Sequence, residues 1–197
     1  MRTNLMRSLA LAALLTAACQ TTSAAPPTAT SAHIVAAVAD AGRPAADKDL
    51  DDERKPADMM AFAEVQPGDK VGELIPGAGF MTRVLSKSVG PTGHVYLFNG
   101  PPAAGRAPGF QPVLDDKTNY SNVSFIQTDF TTIAAPEPLD LVWTSQNYHD
   151  MHNPGRNLDI AKANKAVFAA LKPGGVYFVL DHQSAPGVDF DAALHRI

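Results

Sequence analysis

The sequence predicts a doubly wound α/β domain, with a mainly parallel sheet and helices on both faces. Short apolar segments alternate with segments of helical periodicity from residue 71 onwards. The strand-like segments are apolar at consecutive positions, as parallel strands buried on both faces are. Polar residues then follow several of these strands where each one ends. In such sheets ligands bind outside the carboxyl ends of the strands, so the sequence also predicts a site there.

The composition fits one globular domain with a hydrophobic core, since 45% of the 197 residues are hydrophobic. The formal net charge is −4 and no basic cluster stands out, which argues against nucleic acid as a partner. The single cysteine, Cys19, excludes an intramolecular disulfide framework and any multi-cysteine metal site.

The first 19 residues have the pattern of an export signal. Arg2 and Arg7 precede an apolar run over residues 9–18, which is too short to span a bilayer but has the length of a signal-peptide core. Cys19 follows a Leu-Thr-Ala-Ala segment that resembles a bacterial lipoprotein signal, in which the cysteine is lipidated. Thr16 stands where leucine is usual, so ordinary cleavage near residues 24–25 is the alternative. Either route predicts a periplasmic protein, anchored to the membrane only if Cys19 is lipidated.

After the signal, the sequence divides into a tether with a short helix, residues 20–46, and one domain, residues 47–197. The start of the tether is small and polar and has little apolar surface to bury. A helical face at Ile34, Val35 and Val38 follows, and Gly42-Arg43-Pro44 ends it.

Two further helices are predicted before the first strand. The charge-dense segment 45–54 predicts a solvated helix, and Pro56 suits the first turn of the next one. Four residues of this second helix are expected to face the core: Met59, Met60, Phe62 and Ala63.

The first strand, residues 71–74, leads through a glycine turn into a helix from about Phe80. Gly77 and Gly79 allow positive φ and a close approach of the backbone to a ligand, and the helix start offers unpaired N–H groups to an anion. Glu73 places a carboxylate beside this turn, where it can hold a cationic or hydroxylated group. A tight turn without a ligand is the alternative that these residues leave open.

The rest of the chain continues the same alternation. Four more strands are predicted, at residues 94–98, 123–127, 139–144 and 176–180. Between them we expect a helix end at Gly90-Pro91, an irregular loop over 100–112, and a helix marked by Leu158, Ala161, Phe168 and Leu171 and closed by residues 172–175. The polar residues at the strand ends are Glu73, Asn99, Asp129, residues 146–150, Asp181 and His182.

These segments together resemble class I S-adenosylmethionine-dependent methyltransferases, and most of all a group of exported bacterial proteins known as predicted methyltransferases. The resemblance covers about residues 47–197 and rests on ELIPGAG (73–79), DLVW…YHD (140–150), LKPGG (171–175) and LHRI (194–197). It implies a Rossmann-like fold, the cofactor S-adenosylmethionine, and methyl transfer to an unknown small-molecule or protein acceptor. Because the family fold normally continues into two more strands, it also implies a C-terminally incomplete domain with an exposed edge at the fifth strand.

The resemblance assigns a role to each candidate site residue. The residues that would bind the cofactor are Glu73, Pro76, Gly77 and Gly79 at its methionine part, Asn99 at the ribose, Asp129 at the adenine, and Gln146. Tyr148 and His149 would lie beside the transferred methyl group, where they can orient the acceptor or accept a proton. Capping of the loop after the fourth strand is the alternative role for this pair.

Two positions depart from the family pattern, and they keep other functions open. Ile75 stands where the family has its first loop glycine, and Asn99 stands where a carboxylate is usual. One alternative is therefore an exported binding protein that kept the fold and lost catalysis. A nicotinamide-dependent oxidoreductase is less favoured, because Thr82 occupies the third glycine position of that fingerprint. No metal site is predicted, since the spacing of His149, His152 and His182 is not specific.

Overall fold

The computed structural model describes residues 30–191 and 193–197, and its centre is a five-stranded parallel sheet. The strands are β1 (Lys70–Leu74), β2 (His94–Asn99), β3 (Val123–Gln127), β4 (Leu139–Ser145) and β5 (Leu171–Leu180). They lie in the order β3-β2-β1-β4-β5, and every neighbouring pair is parallel. The predicted doubly wound sheet is confirmed. The predicted signal peptide, Cys19 and the first part of the tether lie outside the described residues.

Helices cover both faces of the sheet. They are α1 (Ala32–Val38), α2 (Ala45–Lys48), α3 (Asp51–Arg54), α4 (Pro56–Phe62), α5 (Phe80–Val89), α6 (Gln111–Asp115), α7 (Tyr148–His152) and α8 (Ile160–Ala170). Side chains of α1, α4, α5 and α6 form the core on one face, and side chains of α7 and α8 form the core on the other. Among the described residues no helix has both the length and the apolar composition needed to cross a bilayer.

The central strand owes its close packing to Gly72. A Cβ atom at this position would lie 2.8 Å from Leu139 and 2.9 Å from Phe98, so only glycine lets both side chains cover β1. The helix that follows β1 ends at Gly90, as predicted, because Gly90 has a φ of 67° that favours glycine.

The segment before β1 differs from the single solvated helix that was predicted for residues 45–54. It forms two short turns, α2 and α3, and two of its acidic side chains, Asp47 and Asp51, are partly buried against the domain. Asp51 accepts two hydrogen bonds from the buried Arg43, at 2.7 and 2.8 Å, and Asp47 accepts one from Arg83 at 2.9 Å. The high charge of this segment therefore serves ion pairs that fasten it to α1 and α5.

Two aromatic residues predicted to be in the core are exposed. The side chain of Phe62 is 83% exposed and that of Phe168 is 79% exposed. In α8 the buried residues are Ala163 and Val167, so the face chosen from the sequence is wrong by about one residue. The small side chain of Ala163 allows α8 to lie close to the sheet, which a face containing Phe168 would prevent. The markers Leu158 and Leu171 flank α8 rather than belong to it.

The burial of Val167 and the exposure of Phe168 in α8 lead to a stability prediction. Val167→Ala should lower the free energy of unfolding by about 1–3 kcal/mol, because it removes two buried methyl groups from the core. Phe168→Ala should change it by less than about 0.5 kcal/mol, since the ring is mostly in solvent. Urea unfolding of both variants measures the difference, and a larger loss from Phe168→Ala would contradict the placement of α8.

The residues predicted to close α8 lie within β5 instead. Leu171 pairs with Leu139 and Val176 with Leu141, so the register shifts between these pairs and residues 172–175 form an irregularity in the strand. Lys172 is held there by an ion pair with Asp140. The loop predicted over 100–112 is also shorter than expected, because α6 begins at Gln111.

Candidate functional site

A cleft of about 260 Å³ opens at the carboxyl ends of β1 and β4, where the strand order reverses. This is the position at which doubly wound sheets bind ligands. Its walls come from α3 and α4, from the turn after β1 and the start of α5, and from the end of β4. The residues that line it are Arg54, Met59, Glu73, Pro76, Gly77, Ala78, Phe80, Met81, Ser145, Gln146 and Asn147.

The turn after β1 has one open and one packed glycine. Gly77 has a φ of 59°, and among the described residues other than its chain neighbours no atom lies within 4 Å of the position that its Cβ would take. Gly79 has a φ of 82°, and its Cβ would lie 2.6 Å from Val113 of α6. A hydrogen bond of 2.9 Å from the Gly79 amide to the Pro76 carbonyl closes the turn. Gly77 therefore leaves room for a ligand, whereas Gly79 fixes the start of α5.

Glu73 is a buried carboxyl group that faces this cleft. Its Oε2 accepts a hydrogen bond of 2.6 Å from Thr82, and no other described residue donates to the carboxyl group. Burial raises the pKa of Glu73 to about 8, although the Thr82 hydrogen bond and the positive charge of Arg83 act in the opposite direction. Glu73 is therefore largely protonated at neutral pH until a cation approaches.

The backbone at the strand ends is held in unusual conformations on both sides of the cleft. Ile75 has a φ of 53° and Gln146 a φ of 58°, which are uncommon for residues with side chains. The Ile75 amide donates to Phe98, and the Ile75 carbonyl accepts from the Asn147 side chain, both at 2.9 Å. The Ile75 side chain packs into the core on the α8 face. It therefore does not fill the cleft, although the sequence places a branched residue in the turn.

Two contacts that shape the cleft, one in its wall and one against the turn after β1, are not predicted from the sequence. Arg54 belongs to the segment predicted to be solvated, and its guanidinium group lies 4.8 Å from the centre of the Phe80 ring. Gly109 lies in the predicted irregular loop, and a Cβ there would lie 2.7 Å from the Gly77 carbonyl oxygen. No sequence signal marks either contact, because each joins residues that are far apart in the sequence.

The contact at Gly109 leads to a prediction about cofactor-site geometry. Gly109→Ala should destabilise the protein by about 1–3 kcal/mol and weaken ligand binding at the cleft, because the new methyl group must push the Gly77 carbonyl aside. Gly100→Ala is the matched control, since no atom lies within 4 Å of its added Cβ. Thermal unfolding compares the two variants, and equal stabilities would show that the loop does not rest on the turn.

Asn99 and Asp129 lie outside the cleft wall. Asn99 ends β2, and its carbonyl accepts from the Thr128 amide at 2.9 Å. Asp129 follows β3 and accepts two hydrogen bonds from Thr131, both 2.9 Å long, which hold its pKa below the ordinary value. Since neighbouring strands are about 4.8 Å apart, Asp129 lies roughly 10 Å along the sheet edge from β1.

Tyr148 and His149 begin α7 and are held by neighbouring elements. The Tyr148 hydroxyl is hydrogen-bonded to the side-chain amide of Asn164 in α8, with contacts of 2.7 and 3.1 Å. His149 is buried, and Asp181 accepts from its backbone amide at 2.7 Å and lies 2.8 Å from its Nδ1. Burial alone would raise the pKa of Asp181, but the hydrogen bonds from His149 lower it below its ordinary value.

The structure thus brings together only part of the predicted site. Glu73, Pro76, Gly77 and Gln146 line one cleft, and Gly79 lies directly behind it. The predicted residues that do not line this cleft are Asn99, Asp129, Tyr148 and His149.

Comparisons with known proteins identify methyltransferases that are similar to this chain in sequence. No protein-family model matches the chain. The ubiquinone/menaquinone biosynthesis C-methyltransferase UbiE of Ectopseudomonas mendocina is 32% identical over 129 residues, which are 65% of this chain and 47% of the relative. The chain therefore spans about half the length of the curated relatives that it matches.

Solved structures show the same fold. A SAM-dependent methyltransferase from Aquifex aeolicus superposes with a TM-score of 0.56 at 21% identity, over 79% of this chain and 81% of that one. A proposed sarcosine dimethylglycine methyltransferase from Galdieria sulphuraria gives a TM-score of 0.55 at 21% identity, over 71% and 50% of the two chains. The chain has the Rossmann-like fold of class I methyltransferases.

Proposed function

We propose that this protein is an S-adenosylmethionine-dependent methyltransferase that binds its cofactor in the cleft between β1 and β4. The observation that carries the proposal is the pairing of a buried acid, Glu73, with the open backbone of Gly77 at the switch point of the sheet. The similarity to UbiE and to solved methyltransferases supports the reaction and the cofactor.

The residues present fit the methionine end of the cofactor. Glu73 has a carboxyl oxygen that accepts no hydrogen bond from the described residues, so it is available to the ammonium group. Gly77 leaves space beside it. The cleft of about 260 Å³ is smaller than the roughly 300–1,000 Å³ of pockets that enclose whole ligands, so it suits one end of the cofactor. The nucleoside end would then extend along the sheet edge toward Asn99 and Asp129.

The protein's part in the reaction is alignment. The cofactor supplies a methyl group on a sulfonium, and its displacement requires proximity and orientation more than acid–base chemistry. Gln146 leads from the cleft to α7, where we place the acceptor beside Tyr148 and His149. Both side chains are fixed by hydrogen bonds, to Asn164 and Asp181, and can therefore orient a small-molecule or protein acceptor.

The proposal also includes a location for the protein and a class of acceptor, both based on the sequence. The export signal supports a periplasmic protein, anchored to the membrane through a lipidated Cys19 if the lipoprotein route is used. The net charge of −4 supports an acceptor other than nucleic acid.

Titration calorimetry with S-adenosylmethionine and S-adenosylhomocysteine, on the chain from residue 20 onwards, tests the proposal. Saturable binding of both ligands is the expected result. Absence of binding at millimolar concentration would refute the cofactor site. If both bind, transfer of a labelled methyl group to acceptors from a periplasmic extract distinguishes an enzyme from a binding protein that lacks turnover.

A further inference from the structure

His149 is held in one tautomer by a buried carboxylate. The side chain of Asp181 is 4% exposed and lies 2.8 Å from Nδ1 of His149, while its second oxygen accepts the His149 backbone amide. Since a carboxylate only accepts, Nδ1 carries the hydrogen, and the lone pair of the neutral ring is on Nε2. A carboxylate behind one imidazole nitrogen is the usual arrangement when the other nitrogen binds a metal.

Two further groups that can donate electron pairs lie beside the His149 ring. Oδ1 of Asp150 lies 3.8 Å from it, and the His195 ring packs edge-on against the His149 ring with centroids 5.2 Å apart. One ligand atom from each of the three residues lies within 4.8 Å of the others. The other oxygen of Asp150 is 3.9 Å from the half-exposed Arg156, which leaves Oδ1 directed toward His149.

We propose that His149, Asp150 and His195 bind a divalent transition-metal ion such as Zn²⁺, and that Asp181 positions His149 for this role. Zinc–nitrogen bonds of about 2.0–2.1 Å place tetrahedral ligand atoms roughly 3.4 Å apart, so ligand atoms that now lie within 4.8 Å of one another need to move inward by about 1 Å or less on average. His195 is exposed and Asp150 half-buried, so both can close on an ion held by the buried His149. Two histidines and one carboxylate leave a coordination position open for water or a small ligand.

This site lies at the carboxyl ends of β4 and β5, beyond the cleft. It shares His149 with the acceptor position of the proposed function, but metal binding can be measured without cofactor or acceptor. The sequence does not predict it, because the candidate histidines there were His149, His152 and His182. The structure also places ligand atoms of His149, Asp181 and His182 within 4.8 Å of one another, but Asp181 is engaged by the His149 Nδ1 and backbone amide. It brings in His195 from the segment after β5, which folds back so that the Ile197 amide donates to the His182 carbonyl at 3.1 Å.

Calorimetry of the full chain without a polyhistidine tag, titrated with Zn²⁺ against a competing chelator, tests this proposal. We expect one ion per chain, and the absorption spectrum of a Co²⁺-loaded sample should show the intense visible bands of a tetrahedral site. His195→Gln should weaken Zn²⁺ binding at least 100-fold, and Asp181→Asn should weaken it about 10- to 100-fold.

Two controls make the result decisive. His33→Gln should leave Zn²⁺ affinity unchanged, because His33 is hydrogen-bonded to the Val65 carbonyl. His182→Gln should also leave it unchanged, although His182 adjoins Asp181. A larger loss from His182→Gln than from His195→Gln would overturn the ligand set. No stoichiometric uptake by the parent chain would overturn the site.

Discussion

Glu73→Gln should weaken S-adenosylmethionine binding by about 10- to 100-fold while leaving the protein folded. Hydrogen bonds to a charged partner contribute about 1.5–3 kcal/mol, which corresponds to this range of dissociation constants. Glutamine keeps the size of the side chain and can still accept from Thr82, so the substitution removes the charge alone. Titration calorimetry at pH 8 measures the change. Unchanged affinity would show that Glu73 does not hold the cofactor.

The same residue should couple binding to proton release. Because Glu73 has a pKa of about 8 in the free protein, it must lose a proton at pH 7 to pair with an ammonium group. We therefore expect close to one proton released per cofactor, and affinity that rises between pH 6 and pH 8. Calorimetry in buffers of different ionisation enthalpy counts the protons, and Glu73→Gln should release none from this site.

Glu73 should also make the stability of the free protein depend on pH. Its pKa rises from an ordinary value of 4.5 to about 8 on folding, so between these values the folded state holds a proton that the unfolded chain has released. The stabilisation is complete below about pH 4.5 and is lost as pH rises through about 8. Each pKa unit corresponds to about 1.4 kcal/mol, so the loss amounts to several kcal/mol.

Urea unfolding from pH 5 to pH 9 measures this dependence. Glu73→Gln should flatten the profile over that window, because glutamine does not titrate. The matched control is Glu53→Gln, which changes an exposed carboxylate of α3 and should leave the profile of the parent protein intact. A Glu73→Gln profile as steep as that of the parent would assign the slope to another group.

Arg43→Met should lower the free energy of unfolding by about 3–5 kcal/mol, the usual cost of breaking a buried ion pair from one side. The Arg43 side chain is fully buried and donates to both oxygens of Asp51 and to the Val38 carbonyl. Methionine fills much of the space, but it leaves the carboxylate and the carbonyl without their donor. The loss should loosen α1 and α3 together.

The control for Arg43→Met is a partly exposed ion pair between Lys87 and Asp40. The Lys87 Nζ lies 3.6 Å from Oδ2 of Asp40, and both side chains are about one quarter exposed. Asp40→Asn should cost less than about 1 kcal/mol, since water screens such a pair. Urea unfolding of Arg43→Met and Asp40→Asn measures how much free energy of unfolding each substitution removes. If the two substitutions cost the same, the buried pair contributes no more than a surface one.

The sheet could be predicted from the sequence because its signals are local. Consecutive apolar residues, the glycine turn and Gly90 each mark an element without reference to the rest of the chain. The face of α8 could not be predicted in this way, since Val167 and Phe168 are both apolar and differ by only 100° around the helix. Packing against the sheet selects Val167, because the smaller side chain lets the helix lie closer to the strands.

The candidate site also combines residues that local sequence signals predict with residues that only the fold brings together. Glu73, Gly77 and Gln146 could be predicted because they lie at or just after the ends of strands that meet one edge of the sheet. Arg54 was not found, because its place above Phe80 depends on ion pairs between the N-terminal helices and the domain. The His149–Asp181 contact joins residues 32 positions apart, and both were noted only as polar residues at strand ends.

The conformation of Ile75 sets two contributions to the free energy of unfolding against each other. A branched residue in a left-handed conformation costs about 1–2 kcal/mol, which glycine would not incur. The side chain fills part of the core beside α8, and removing a buried isoleucine costs about 2–5 kcal/mol. Glycine is therefore the less stable residue at this position, although the turn alone favours it. The tertiary packing of Ile75 outweighs its local backbone preference.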